Sequence, residues 1–270
     1  MAIFDIFEEV SEKSVIKTET GDSRIFGVMV GEVVNNYSAT MPGRVCVSIH
    51  VRDAEANIIK WARLSFASFG EEWGAYFLPE VGDQVLVAFD QGLIDRPFVI
   101  GCIAKDNSKF LRKVKSMTNS TKRITTKNGN TIDFSDNPVG EGSMDAIKIY
   151  TPDSAHELTL DNEKHKITLK DKDNNAAIEM SSLRGDISIT AAHKMSIKVG
   201  ETITVTMNGD TGKITISANA ISAETTGKMI LDGGGKAEFK GATVTVDSQG
   251  MLSLNSAGMV KVEGKPIKLG

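Results

Sequence analysis

The residues that could do chemistry in this sequence lack the spacings that reactive or metal-binding sites require. The segment Asp171-Lys-Asp-Asn-Asn175 begins like a calcium-binding EF-hand loop, whose carboxylates alternate along its first positions. Ala176 stands where that loop needs glycine, and Ser182 stands where it needs a bidentate glutamate. The pattern therefore predicts a polar turn and no calcium site.

A second stretch, Gly233-Gly-Gly-Lys236, is reminiscent of a phosphate-binding loop. Ile230 replaces the leading glycine of that motif, and Ala237 replaces the hydroxyl residue that would hold magnesium. The stretch is interpreted as a corner between strands, where glycine permits backbone angles closed to other residues.

Metal and redox chemistry are not indicated either. The four histidines show no ligand spacing with one another or with the two cysteines (His50, His156, His165, His193; Cys46, Cys102). Both cysteines lie in apolar, strand-like runs, so we predict small buried residues in a protein made in a reducing cytoplasm. We expect no metal and no cofactor.

Paired carboxylates are the remaining possibility for catalysis. Acidic residues are numerous around the middle of the first half of the chain (Glu71, Glu72, Glu80, Asp83). A glycosidase needs two carboxylates facing each other across a cleft, and no spacing in the sequence predicts such a pair. We therefore predict no catalytic residue and a protein that is not an enzyme.

The elements of the C-terminal part repeat in a simple pattern. From Asp186 to Gly270, apolar pairs at positions i and i+2 recur about every eight residues, with polar residues between them. Both side chains of a pair point to one face of a strand. The predicted core residues are the members of these pairs (Ile187, Ile189, Ile203, Val205, Ile214, Ile216, Leu231, Phe239, Val244, Val246, Leu252, Leu254, Val260, Val262).

An eight-residue unit is too short to close one turn of a single-chain solenoid. Three identical chains, each supplying one face, would close a perimeter of roughly 24 residues. The period therefore predicts a homotrimer with an intertwined triple-stranded β-helix. An ordinary antiparallel meander with glycine in its turns is the alternative that the pattern leaves open.

The N-terminal part has a different pattern. Five strand-like runs are separated by turn signals such as Pro42-Gly43 and lie within about eighty residues (25–34, 44–51, 61–66, 84–89, 97–103). That number and size predict an OB-type Greek-key barrel. Val85, Val87 and Phe89 alternate toward its interior.

Several motifs in this barrel resemble a known family. They are Gly74-Ala-Tyr-Phe-Leu-Pro-Glu-Val-Gly-Asp-Gln-Val-Leu-Val-Ala-Phe89, Asp95-Arg-Pro-Phe-Val-Ile-Gly101, Arg44-Val-Cys-Val-Ser-Ile49 and Trp61-Ala-Arg-Leu64. In order and spacing they resemble the OB domain of contractile-tail central spikes, which include phage baseplate assembly protein V and the VgrG spike of type VI secretion.

The resemblance implies a structural spike at the baseplate centre of a contractile injection system, which transmits the force of sheath contraction to pierce a target-cell envelope. It also implies a trimeric hub at the barrel end, for which Ile3, Phe4 and Phe7 of a short amphipathic helix are candidate contacts. Because about two dozen residues precede the barrel, the hub is expected to be a separate protein.

At the other end, the resemblance implies a small PAAR-type tip protein. Its candidate docking residues are the last apolar and small ones (Pro266, Ile267, Leu269, Gly270). Some phage spikes end in a His-x-His iron site, whereas this chain ends Gly264-Lys-Pro-Ile-Lys-Leu-Gly270, so no metal is expected there.

The predicted organisation has five parts: an N-terminal helix and tether (1–24), the OB domain (25–104), a basic neck (105–129), β-hairpins that begin the rod (130–185) and the octad-repeat β-helix (186–270). No signal peptide or membrane-spanning stretch is indicated. We therefore expect synthesis in the cytoplasm and assembly into a phage tail or tail-like particle.

Two other function classes remain open. One is a glycan-degrading β-helical tail enzyme. The other is an OB-fold binder of single-stranded nucleic acid, suggested by the basic neck and the barrel aromatics (Trp61, Phe66, Phe69, Trp73, Tyr76, Phe77). The net charge of -4 gives no overall basic field, and packing in the core or between copies also explains the aromatics. No nucleic-acid partner is therefore expected.

Overall fold

The computed structural model describes residues 16–19, 21, 23–50 and 57–268. These residues are almost entirely β-structure, with seventeen strands and one short α-helix, α1 (Lys109–Val114), as the all-β prediction requires. Within the same ranges, no helix has the length and apolar character needed to cross a bilayer. The chain divides into two compact units, which meet between His193 and Lys194.

The first unit begins with a two-stranded ribbon and a closed five-stranded barrel. The ribbon consists of β1 (Ile16–Lys17) and β2 (Ser23–Arg24). The barrel strands are β3 (Val28–Asn35), β4 (Arg44–Ile49), β5 (Ile58–Leu64), β6 (Gln84–Phe89) and β7 (Pro97–Ile103). They close in the order β3-β4-β5-β7-β6, and every pair is antiparallel except β5 with β7. The predicted OB-type barrel is thus present.

The barrel closes around a small aliphatic core. Val85 and Val87 are 0% exposed and Phe89 is 9% exposed, which confirms their predicted inward alternation along β6. They meet inward residues from the other four strands (Val33, Val45, Val47, Ile49, Ala62, Val99). Because β-branched side chains suit a pleated surface and fill a narrow barrel, this core needs few aromatic residues.

One glycine is required by a close approach inside the barrel. A Cβ built on Gly31 of β3 would lie 2.4 Å from Cγ1 of Val47 and 3.2 Å from the carbonyl oxygen of Ser48 on β4. Such a separation is far inside van der Waals contact. Gly31 therefore lets β3 and β4 pack closely at this point of the wall.

A tight turn leads into β6. The backbone N–H of Glu80 donates to Oδ2 of Asp83 at 2.9 Å, and the N–H of Asp83 donates to the Glu80 carbonyl at 3.0 Å. Gly82 has φ +92°, which is why glycine occupies this position. The turn also contacts the next part of the unit, since Oε2 of Glu80 lies 2.8 Å from Nζ of Lys127.

The rest of the first unit is a seven-stranded antiparallel meander. Its strands are β8 (Thr121–Thr125), β9 (Thr131–Ser135), β10 (Ala146–Tyr150), β11 (His156–Asp161), β12 (Lys166–Asp171), β13 (Ala176–Ser181) and β14 (Asp186–Ala191), paired in sequence order. Strands β9 to β13 lie within the region 130–185, for which the sequence predicts β-hairpins. The segment 105–129, predicted as a neck, contains both α1 and β8. The sequence did not predict β8, because Ile124 is the one apolar residue among its five and gives no alternation.

The second unit contains a three-stranded antiparallel sheet. It consists of β15 (Lys194–Val199), β16 (Ile203–Asn208) and β17 (Lys213–Ser217). Within one chain, the strands up to Ser217 thus pair as an antiparallel meander, which is the alternative that the sequence left open. From residue 218 to 268 the described chain forms no strand. Within the described residues, strand pairing inside one chain therefore stops at Ser217, with seven of the eleven predicted octads beyond it.

A partly buried ion pair joins β8 to β9. The Arg123 guanidinium donates to Oδ2 of Asp133, and the two side chains are 18% and 12% exposed. This contact raises the pKa of Arg123, so the guanidinium stays charged. Nε of Arg123 and Oδ1 of Asp133 are buried without a hydrogen-bond partner in this single chain.

We expect Asp133→Ala to lower the free energy of unfolding by about 2 kcal/mol, because it leaves a partly buried guanidinium unpaired. Circular dichroism during urea unfolding measures the loss. The matched control is Asp136→Ala, whose ion pair with Lys122 is half exposed, so the expected loss is under about 0.5 kcal/mol. Equal losses in the two variants would contradict the prediction.

Candidate assembly surface

The seven-stranded sheet carries two continuous columns of apolar side chains on one face, called here the apolar face. The columns arise because each i, i+2 pair lies opposite the next pair in the strand register. The first column runs Ile124, Ile132, Ile149, Leu158, Leu169, Ile178, Ile189, and the second runs Phe134, Ile147, Leu160, Ile167, Met180, Ile187.

Much of this face is exposed to water in a single chain. Leu169 is 50% exposed and Ile187 is 69% exposed, whereas the aliphatic core of the barrel is almost completely buried. Contiguous apolar patches on this scale mark interaction surfaces in soluble proteins. The apolar face is therefore a surface that another chain or another segment must cover.

The opposite face of the sheet is polar and internally paired. Nζ of Lys166 lies 2.6 Å from Oε1 of Glu179 across β12 and β13, and the Thr159 hydroxyl donates to Oε1 of Glu157 at 2.9 Å. At the β11–β12 turn, the Lys164 ammonium and backbone N–H hold the pKa of Asp161 below its usual range. The polar face thus pairs several of its own polar groups within one chain, whereas the apolar face has no counterpart among the described residues.

The apolar face also meets the barrel. A groove of about 430 Å³ is lined mainly by Phe77 of the β5–β6 connection and by Ile124, Ile149 and Leu169 of the sheet. Beside it, the Glu80 carboxylate raises the pKa of Lys127 through their hydrogen bond. The uncovered surface therefore continues from the sheet to the barrel loops of the same unit.

The three-stranded sheet repeats the pattern within the second unit. Its apolar rows are Met195–Met207–Ile214, Ile197–Val205–Ile216 and Val199–Ile203. Four predicted core residues, Ile203, Val205, Ile214 and Ile216, are thus brought to one face. Ile214 is 68% exposed, so this face also lacks a cover in one chain.

Beyond Ser217 the predicted core residues are uncovered. Phe239 is 71% exposed, and the other predicted core residues of this segment are exposed as well (Leu231, Val244, Val246, Leu252, Leu254, Val260, Val262). Of the predicted tip-docking residues, Pro266 and Ile267 are exposed. Leu269 and Gly270 lie outside the described residues, as do the predicted hub contacts Ile3, Phe4 and Phe7.

The segments with possible chemistry form turns. Oδ1 of Asp171 accepts the N–H of Ala176 at 2.9 Å, and the N–H of Lys236 donates to the Gly233 carbonyl at 3.1 Å. In the described part of the chain, no group of three or more His, Cys, Asp or Glu residues could hold a metal ion.

One expectation for the cysteines is wrong. Cys46 is buried, and burial raises the pKa of its thiol, but Cys102 is exposed. Burial along β7 ends at Val99, and Ile100, Gly101 and Cys102 are all exposed. How far burial continues along a strand depends on what packs over its end, which the local sequence pattern does not contain.

Comparison with known proteins identifies the barrel. Residues 29–103, from the second residue of β3 to the end of β7, match the family model described as the type VI secretion system/phage-baseplate injector OB domain. The type VI secretion system spike protein VgrG1a of Pseudomonas aeruginosa is 23% identical over 88% of this chain. The barrel is therefore similar to that injector OB domain, and most of the chain is similar to a VgrG spike protein.

The chain covers only part of the length of its curated relatives. It spans 39% of the length of VgrG1a. VgrG1c and VgrG1b of the same organism are 28% and 27% identical over 40% of this chain, which is 16% and 15% of their own lengths. All three relatives are named as spike proteins.

Sequence reasoning about this chain missed two features. The first is the extent of the apolar face, which begins at Ile124, upstream of every predicted core residue, although the pairs from Ile132 to Met180 were visible as strand signals. The second is the loop Phe66–Phe77, which presents aromatic residues to solvent. The glycines at positions 70 and 74 were the available signal for a built turn.

Proposed function

We propose that this chain is a structural spike of a contractile injection system, in which three copies bury their apolar faces against one another. The observation that carries the proposal is the pair of apolar columns, one over seven consecutive strands and the other over six, many of whose members are exposed in the described part of the chain. Similarity to VgrG spike proteins supports the same conclusion.

The C-terminal segment (residues 218–268) gives an independent argument for partner chains. Among its described residues, this segment forms a single backbone-to-backbone hydrogen bond, which the Lys236 N–H donates to the Gly233 carbonyl. Backbone polar groups that become buried must be paired, and unpaired edges recruit other strands. Three copies winding together would pair these groups and bury the octad side chains in one step.

The proposed mechanism is mechanical. Interlocked strands cannot separate without exposing apolar surface along the rod, at roughly 25 cal/mol for each Å². Eleven octads stacked at about 4.7 Å per layer give a rod of roughly 50 Å, which would transmit an axial push from sheath contraction to a target envelope. No reaction is required of any side chain, so the proposed role is not enzymatic.

The proposal also assigns partners to the two ends. A trimeric hub, expected to be a separate protein, would dock at the barrel end through Ile3, Phe4 and Phe7. A PAAR-type tip protein would dock at Pro266, Ile267, Leu269 and Gly270. Both assignments rest on the family resemblance.

The native mass tests the trimer directly. We expect native mass spectrometry and light scattering at micromolar concentration to give three times the chain mass of 29.1 kDa. In strong denaturant the mass should fall to that of one chain. A monomer under native conditions would contradict the proposal, because the apolar face would then be stable in water.

A further inference from the structure

The barrel carries a rigid loop between β5 and β6, called here the tip loop (Phe66–Phe77). The ring of Phe66 stacks on Phe69 with centroids 4.9 Å apart and on Tyr76 with centroids 5.8 Å apart. The Gly70 N–H donates to the Trp73 carbonyl at 2.7 Å, and the Ala75 N–H donates to the Ser68 carbonyl at 2.9 Å. The loop is therefore a small hairpin with its own aromatic base.

Two glycines allow this hairpin to close tightly. A Cβ on Gly70 would lie 2.4 Å from the indole of Trp73, and one on Gly74 would lie 2.8 Å from the Ser68 carbonyl oxygen. Glycine is required at position 74, where φ is +155° and the contact is with backbone, whereas a side chain at position 70 would displace the Trp73 indole. A loop that is ordered before binding loses less conformational entropy when it docks.

The end of the hairpin presents Glu71, Glu72 and Trp73. Trp73 is 67% exposed, and both glutamates are exposed. Neither carboxylate forms an ion pair or a hydrogen bond within the described part of the chain. Tryptophan is one of the residues that dominate binding energies at interfaces, and unpaired carboxylates form strong hydrogen bonds with a cationic partner surface.

A complementary surface lies elsewhere on the barrel, in a cleft of about 400 Å³, called here the arginine cleft. Arg44 of β4 and Arg63 of β5 are direct partners in the strand register, and Trp61 and Phe98 line the same cleft. Like charges directly opposite each other on neighbouring strands destabilise a sheet unless a counter-charge is present.

The acidic residues of the cleft are already engaged. Asp95 accepts a hydrogen bond from the Lys60 ammonium, which lowers the pKa of Asp95, and Oδ2 of Asp90 lies 3.3 Å from Nη1 of Arg96. Within the described residues, Arg44 and Arg63 have no acidic partner. Arg44 and Arg63 are thus left without a counter-charge, whereas the tip loop carries two unpaired carboxylates.

We propose that the tip loop of one copy docks in the arginine cleft of the next copy around the three-fold axis. Each barrel carries both surfaces, so head-to-tail contacts close a ring of three. Glu71 and Glu72 would supply the counter-charge for Arg44 and Arg63, while Trp73 would pack beside Trp61 and Phe98. The inference rests on the proposed trimer and adds the contact between its barrels.

Crosslinking of the full chain tests this contact. The variant Glu71→Cys/Arg63→Cys is made in a Cys102→Ser background, which removes the exposed native thiol, and is treated with a short bismaleimide. We expect covalent dimers and trimers on a denaturing gel. Crosslinks within single chains only, or none, in a protein whose native mass is still trimeric would overturn the inference and leave the proposed function standing. A monomeric native mass would overturn both.

Charge reversal tests whether the contact is specific. In the same background, Glu72→Arg or Arg44→Glu should each lower the yield of crosslinked trimer about fivefold, because like charges then meet. The two reversals together should restore most of the yield. Glu32→Arg, an exposed reversal elsewhere on the barrel, is the matched control and should leave the yield unchanged. Equal yields in all four variants would contradict the proposal.

Discussion

Replacing Ile216 by aspartate is expected to abolish the trimer. Ile216 lies on β17 opposite Val205, on the apolar face of the three-stranded sheet, and is 55% exposed in one chain. In the proposed assembly, three copies of the new carboxylate would be buried near the axis. Since burying one unpaired charge costs several kcal/mol, three exceed what the surrounding contacts can offset.

The matched control for this substitution is the neighbouring residue. Thr215→Asp places the same charge on the opposite face of the same strand, where Thr206 is the cross-strand partner. Sedimentation velocity and native mass spectrometry should give a monomer or aggregate for Ile216→Asp and a trimer for Thr215→Asp. If Ile216→Asp forms trimers of normal mass, this apolar face is not buried between chains.

Gly31→Ala should destabilise the barrel by roughly 2 kcal/mol, because the added methyl group overlaps Val47 and the Ser48 carbonyl. Both tryptophans, Trp61 and Trp73, lie in or beside the barrel strands, so their fluorescence during urea unfolding reports on this part of the chain. The shift in the unfolding midpoint then measures the loss.

A double-mutant cycle makes the cause specific. Val47→Ala alone leaves a cavity and should cost about 2 kcal/mol, whereas Gly31→Ala/Val47→Ala should lose less than the sum of the two single variants. Gly101→Ala is the control, because its Cβ would have no atom within 4 Å. Additive losses in the cycle would show that contact with Val47 is not the source of the strain.

The two parts of the chain differ in how they reach stability. The barrel buries its aliphatic core within one chain and can fold before assembly. The sheets expose core-type residues along a whole face, so in the proposed trimer their stability would depend on the concentration of other copies, as in obligate oligomers. This difference fits a spike in which each barrel of the collar folds within its own chain and the rod forms when the chains associate.

Local sequence determined the strands and the barrel. Side-chain direction alternates with a period of two along any strand, so pairs such as Ile187/Ile189 and Ile214/Ile216 predicted which residues share a face without knowledge of their neighbours. The alternation of Val85, Val87 and Phe89, together with the turn at Gly82, was likewise sufficient to predict β6. These features depend only on residues a few positions apart.

The tertiary structure alone decided how the strands align. Register in the seven-stranded sheet gathers scattered pairs into two columns, one beginning at Ile124 and the other at Phe134, and register in the barrel sets Arg44 opposite Arg63. Burial along β7 ends at Val99 and leaves Cys102 exposed. Each of these features depends on contacts between residues that are distant in sequence. Turn lengths and packing together determine those contacts, and no local periodicity encodes them.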